Sequence, residues 1–215
     1  MLELNKVHFG NNVDLIKKID DNSVDIVVSD GPHAQCEWFP DVYRVLKDNG
    51  YGFFLTQHDK NSIDTWLYLL FKHGFYTVGG IVNIDLPITL KYFDIFLIGL
   101  KNATAVPFTT ATFVSHSLRP GHCDTQEVKI DATRRVVESF GQERSLDLFR
   151  VCFNKVKLLT SDKRLLVLDL YAGVATAGVV AFEFGYDYIG FEMDKEIYAA
   201  ADARLRSCNG SKCRQ

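Results

Sequence analysis

No apolar run in this 215-residue chain reaches the roughly 20 residues that a membrane-spanning helix needs. The opening MLELNKVHFG has no signal-type apolar core. Internal repeats and low-complexity tracts are absent too, and an apolar content of 47% with mixed charge carries no signature of disorder. The expectation is an intracellular, soluble chain forming one domain of the larger kind, or a domain with a small insertion. The five cysteines, Cys36, Cys123, Cys152, Cys208 and Cys213, are odd in number and scattered. Neither a disulfide framework nor a zinc site is indicated, and a reducing compartment fits. A net charge of −3 argues against a dedicated nucleic-acid binder. Residues 119–164, however, carry 10 basic and 7 acidic groups between two acidic flanks, so phosphate contacts would come mostly from there.

What is present centres on Leu165–Asp194. An apolar run, Leu165–Leu168, reads as a buried parallel strand ending on Asp169. A turn of small residues follows, then a helix to about Phe184, a stop at Gly185, and a second strand Tyr186–Phe191 ending on Glu192. This is half of a nucleotide-binding α/β unit, with the ligand expected beyond the carboxyl ends of the strands. Glu192 stands where a carboxylate can accept ribose hydroxyls. The turn lacks G-x-G-x-x-G, since Val174-Ala175-Thr176 occupies the place of a pyrophosphate cradle. That favours an adenosyl ligand without a diphosphate, of which S-adenosylmethionine is the common one. An ordinary βαβ unit with a tight turn is the plainer alternative.

The remaining chain alternates strand and helix. Strands are expected at Leu2–Phe9, Val24–Ser29, Tyr51–Thr56, Tyr76–Asn83 and Phe93–Leu100. Helices are expected at Val13–Ile19, at about Cys36–Lys47 before Asp48-Asn49-Gly50, and from a cap near Asn61 or Ser62 to His73. The fold class is therefore α/β: a doubly wound, Rossmann-like sheet, mostly parallel, with an antiparallel pair near one edge. From Lys101 to Gly141 the pattern loosens, with at most a strand near Ala111–Ser115 and a short helix through Thr133–Ser139. Ser145 then caps a helix to Leu159, and a last helix follows Asp194 to about Arg206, before a frayed tail, Ser207–Gln215.

A second informative place is Asp30-Gly31-Pro32-His33, again at the carboxyl end of a predicted central strand. With VDIVVSDGPH here, DLYAGVATAG and YIGFEMD later, and Arg44-Val45-Leu46-Lys47-Asp48-Asn49-Gly50 between, the chain resembles S-adenosylmethionine-dependent DNA amino-methyltransferases. The order is that of the permuted β group of this family, in which a D-P-P-Y motif precedes a D-P-F-x-G-S-G-T-T-G motif. Glu143-Arg144-Ser145 matches the helix opening that comes before the cofactor strand. The departures are Gly31 for proline, His33 for tyrosine or phenylalanine, and Val174-Ala175 for Ser-Gly.

The resemblance implies roles. Asp30, with the Gly31 carbonyl, would accept the two N–H bonds of an exocyclic amine, and His33 after Pro32 would stack on a flipped base. An initial Asp goes more often with adenine N6. Asp169, Tyr171, Ala172 and Gly173 would lie near the methionine part of the cofactor and Glu192 on its ribose. Asn11 would lie by the adenine, with Arg144 and Ser145 at the cofactor carboxylate. Residues 1–101 would be the catalytic half, 102–141 a small insertion or recognition segment, and 142–215 the cofactor half. Arg119, Arg134 and Arg135 are candidates for phosphate contacts. The implied partner is DNA, with no metal and no membrane, and with a homodimer or specificity partner to supply further contacts. RNA as the acceptor, or a scaffold subunit that has lost catalysis, are the alternatives.

Overall fold

The runs Val24–Ser29, Leu166–Asp169 and Asp187–Glu192 form central strands that are buried along most of their length. The computed structural model describes residues 2–31, 36–56, 60–85, 93–102, 112–116, 146–160 and 163–209. In chain order the elements begin with β1 (Lys6–Phe9), α1 (Asn12–Leu15) continued by a 3₁₀ turn at Ile16–Lys18, β2 (Val24–Ser29), α2 (Phe39–Val45) and β3 (Leu46–Thr56). They continue with α3 (Lys60–Lys72), β4 (Phe75–Asp85), β5 (Phe93–Lys101) and β6 (Thr112–His116). The last are α4 (Leu146–Thr160), β7 (Leu166–Asp169), α5 (Thr176–Glu183), β8 (Asp187–Glu192) and α6 (Lys195–Asn209). No described helix is long and apolar enough to cross a membrane.

The eight strands make one sheet in the order β1-β8-β7-β2-β3-β5-β4-β6. Every neighbouring pair is parallel except those of β5, which runs antiparallel to both β3 and β4. Alternation along the strands divides the core in two. Val28, Val167, Tyr188 and Phe53 face a cluster closed by Phe149 and Phe153 of α4, Ala177 and Val180 of α5, and Leu205 of α6. Val27, Leu168, Ile189 and Phe54 face the other cluster, closed by Leu15, by Phe39 and Val42 of α2, and by Trp66 and Leu70 of α3. The doubly wound α/β sheet read from the sequence is the observed one.

Several boundaries differ from the sequence reading. Helix α2 is shorter than Cys36–Lys47 at both ends. Pro40 lies in its first turn, where a missing N–H costs nothing. At the other end Leu46 turns extended to pair with Val24, and the Lys47 ammonium bonds both oxygens of Asp25 at 2.9 and 2.8 Å. Asp25 also accepts from the Leu166 amide, so one carboxylate ties β3 to the start of β7. At the C-terminal end, Ser207–Asn209 belong to α6 rather than to a frayed tail, with the Ser207 hydroxyl donating to the Arg204 carbonyl. The helix expected through Thr133–Ser139 lies outside the described residues.

Candidate functional site

Strands β2, β7 and β8 are adjacent and parallel, and each delivers an acidic residue at its carboxyl end. Val28, Val167 and Tyr188 point to the face covered by α4–α6, so the two-residue period carries Asp30, Asp169 and Glu192 to that same face. The turn after β7 is stitched to both neighbours. Its Leu170 amide donates to the Val28 carbonyl at 3.0 Å and its Ala172 amide to the Phe191 carbonyl at 2.8 Å.

The turn has unusual backbone geometry. Gly173 has φ 52° and Ala175 has φ 60°, both left-handed. Ala175 occupies the position just before α5, with its methyl fully buried. Holding an alanine in this region costs about 1–2 kcal/mol that glycine would not incur. The surroundings support it. Arg204, 7% exposed, donates to the Val174 carbonyl and the Thr176 hydroxyl, and the Gly173 amide donates to Glu192 Oε2 at 3.0 Å. The other oxygen of Glu192 accepts from the Asp194 amide at 2.8 Å, so this carboxylate is held at both oxygens and still has lone pairs to spare.

Asp169 is 3% exposed. Burial raises its pKa to about 7, against the opposing effect of donors from the Tyr171 amide at 3.2 Å and the Tyr188 hydroxyl at 3.1 Å. The charges of Asp30 and Glu192 add to the rise. Tyr188 is itself fully buried, and burial first, then Asp169, pushes its phenol well above the ordinary range. Room for its ring is made by Gly178 of α5 and Gly190 of β8, where an added Cβ would stand within 3 Å of it.

A third contact joins the two sequence motifs. The Tyr171 ring lies so close over Gly31 that a Cβ there would overlap it. The Tyr171 hydroxyl accepts from Trp38 Nε1 at 2.8 Å, and Trp38, 1% exposed, sits edge-on to the ring at 6.2 Å between centroids. Gly31 is thus accommodated to Tyr171 from the β7 turn.

These elements surround a small, open cleft, lined by Asp30, Asp169, Tyr171, Ala172 and Gly173 among the residues expected from sequence. Phe149 and Thr176 also line it and were not singled out in advance. Glu192 and Asn11 are not in the lining. Glu192 is fixed beside it through Gly173, and Asn11 caps α1 through its side chain, next to the β1–β8 pair in which Phe9 is opposite Glu192. Pro32, His33, Arg144 and Ser145 lie outside the described residues, as do Arg119, Arg134 and Arg135. Among the described residues no group of three or more His, Cys, Asp and Glu side chains is arranged to hold a metal ion.

No family model matches the chain, and no curated protein matches it by sequence. Its fold does have solved counterparts. The complex of M1.HpyAVI with SAM aligns with a TM-score of 0.65 at 17% identity, covering 93% of this chain and 98% of that one. A Thermus thermophilus protein assigned as a DNA modification methylase aligns at 0.64 and 15%, covering 96% and 97%. The cytosine-N4-specific PvuII DNA methyltransferase aligns at 0.62 and 14%, covering 94% and 90%. The fold is the Rossmann-like sheet of these proteins, along nearly its whole length.

Proposed function

We propose that this protein transfers a methyl group from S-adenosylmethionine to an exocyclic amino group in DNA, with adenine N6 the acceptor favoured by the leading Asp30. The observation that carries the reading is the set of three acid-tipped neighbouring strands on one face, with Asp30 and Asp169 lining one cleft and Glu192 fixed beside it through Gly173. Structures of the same fold bind this cofactor or are DNA methyltransferases, which supports the assignment.

The residues fit the proposed ligand. The small residues Ala172 and Gly173 let it approach the backbone of the turn. Glu192, fixed by two amides, keeps acceptor capacity for ribose hydroxyls. An acidic cleft suits a cationic group. The donor supplies a methyl on a positively charged sulfur, and transfer neutralises that sulfur. On the acceptor side, Asp30 and the Gly31 carbonyl take the two N–H bonds of the amine. That localises the nitrogen lone pair toward the methyl and provides a place for the proton lost on transfer. His33 stacks on the extruded base, and Arg144 meets the carboxylate of the cofactor.

The test is incubation of the full chain with methyl-labelled donor and unmethylated DNA, followed by hydrolysis to nucleosides. Label in N6-methyladenine is expected. Label in N4-methylcytosine would keep the reaction and change the base, and label only in an RNA substrate would move the reading to RNA. Donor binding without label in either nucleic acid would favour a scaffold role.

A further inference from the structure

The donor's reacting methyl must lie between the strand that ends in Glu192 and the strand that ends in Asp30. The strand between them is β7, and its last residue is Asp169. This carboxyl lines the cleft yet is almost wholly buried, so a positive charge placed over β7 acts on it with little screening. We propose that Asp169 recognises the charge of the methyl donor, taking up the sulfonium form of the ligand as a carboxylate and giving its proton to solvent, so that the site distinguishes the charged donor from its neutral thioether product. The inference rests on the cleft being the donor site.

The groups around Asp169 favour this role. From β2 it faces Asp30, and from β8 it faces Glu192 and the Tyr188 phenol. Its own turn contributes the Tyr171 amide. Thr176 from α5 and the uncharged Phe149 from α4 share the cleft wall. From α6 comes Arg204, whose guanidinium is engaged by the Val174 carbonyl and Thr176. Among the described residues the acids therefore outnumber the cations at this spot. Without ligand the carboxyl is poised near half protonation at neutral pH, since burial holds its pKa at about 7. A cation alongside favours the ionised form, and loss of that cation on methyl transfer lets the proton return.

Calorimetry decides it. S-adenosylmethionine and S-adenosylhomocysteine are titrated into the full chain at pH 7, in two buffers of different ionisation enthalpy. Donor binding is expected to release about 0.4 of a proton more than product binding. Between pH 8 and pH 6 the donor's affinity should fall about fivefold relative to the product's, as one unit of pKa displacement allows. Asp169→Asn, which keeps an acceptor for Tyr188, should bind both ligands and lose both differences. Should that variant fail to fold, Tyr188→Phe removes a donor to the carboxylate and should move the pH of greatest proton release upward. Equal proton counts for the two ligands, a difference that survives Asp169→Asn, or an unmoved maximum in Tyr188→Phe would overturn the proposal while leaving the donor site standing. Binding of neither ligand would remove the donor site and this inference together.

Discussion

The phenol ring of Tyr171 occupies the space that a side chain at position 31 would take. A residue of the turn after β7 thereby dictates the residue of the turn after β2, although 140 positions separate them in sequence. Gly31→Ala should force the ring or the backbone aside and destabilise the protein by about 1–3 kcal/mol, the usual cost of overpacking. Chemical denaturation measures it. Combining Gly31→Ala with Tyr171→Ala should cost less than the two changes summed, because the second removes what the first collides with.

Tyr171→Phe isolates the hydroxyl. The ring stays, but Trp38 Nε1, buried at 1% exposure, loses its acceptor. An unmet buried donor costs about 1–3 kcal/mol. Chemical denaturation of Tyr171→Phe beside the parent measures that loss. Equal stability of Tyr171→Phe and the parent would show that the Trp38 bond contributes nothing.

Ala175 offers a contest of magnitudes. Changing it to glycine deletes a buried methyl, about 0.8 kcal/mol, and loosens the unfolded chain by about 0.4–1 kcal/mol. Relief of the left-handed backbone returns about 1–2 kcal/mol. Ala175→Gly should therefore fall within about 1 kcal/mol of the parent, whereas Ala175→Val, branched and left-handed, should lose several times that. Thermal unfolding of the pair checks the ordering.

Asp169 gives a pH signature of stability. Its pKa is raised by burial to about 7, well above that of an unfolded aspartate, so between about pH 4 and pH 7 the folded state holds a proton that the unfolded state has lost. Stability from this group is fully present below pH 4 and declines as pH climbs through 7. Asp169→Asn carries no such charge. Its stability relative to the parent should improve by a few kcal/mol from pH 4 to pH 8, a trend that urea titrations at the two pH values resolve.

Much of this architecture is legible in the sequence because the central strands are buried on both faces and read as mostly apolar runs. Val24–Ser29, apolar apart from Asp25 and Ser29, is one such run, and its limits agree with the structure to the residue. The placement of Asp30, Asp169 and Glu192 on one face follows from the same runs and from parallel order. The end of α2 is less legible because Leu46 is claimed by a strand partner in β2, and pairing outweighs local helix preference. Tyr188 looks like any core aromatic in a strand. Its bond to Asp169 leaves only an indirect trace, the glycines at 178 and 190 that make room for it. The Tyr171–Gly31 contact is hidden for a similar reason. Gly31 looks like a departure when read alone, and its fit to Tyr171 appears only when the two strand ends are brought together.

The central claim is that the end of β2 holds the acceptor amine while the ends of β7 and β8 hold the donor. Measuring both donor affinity and labelled methyl transfer to unmethylated DNA, for the parent and for Asp30→Ala, tests it most directly. The account predicts donor affinity within about threefold of the parent, together with a loss of transfer of at least about 100-fold, the lower end of what a positioned acid–base group contributes. Transfer by Asp30→Ala at the parental rate, or a parent that binds the donor and leaves DNA unlabelled, would contradict it.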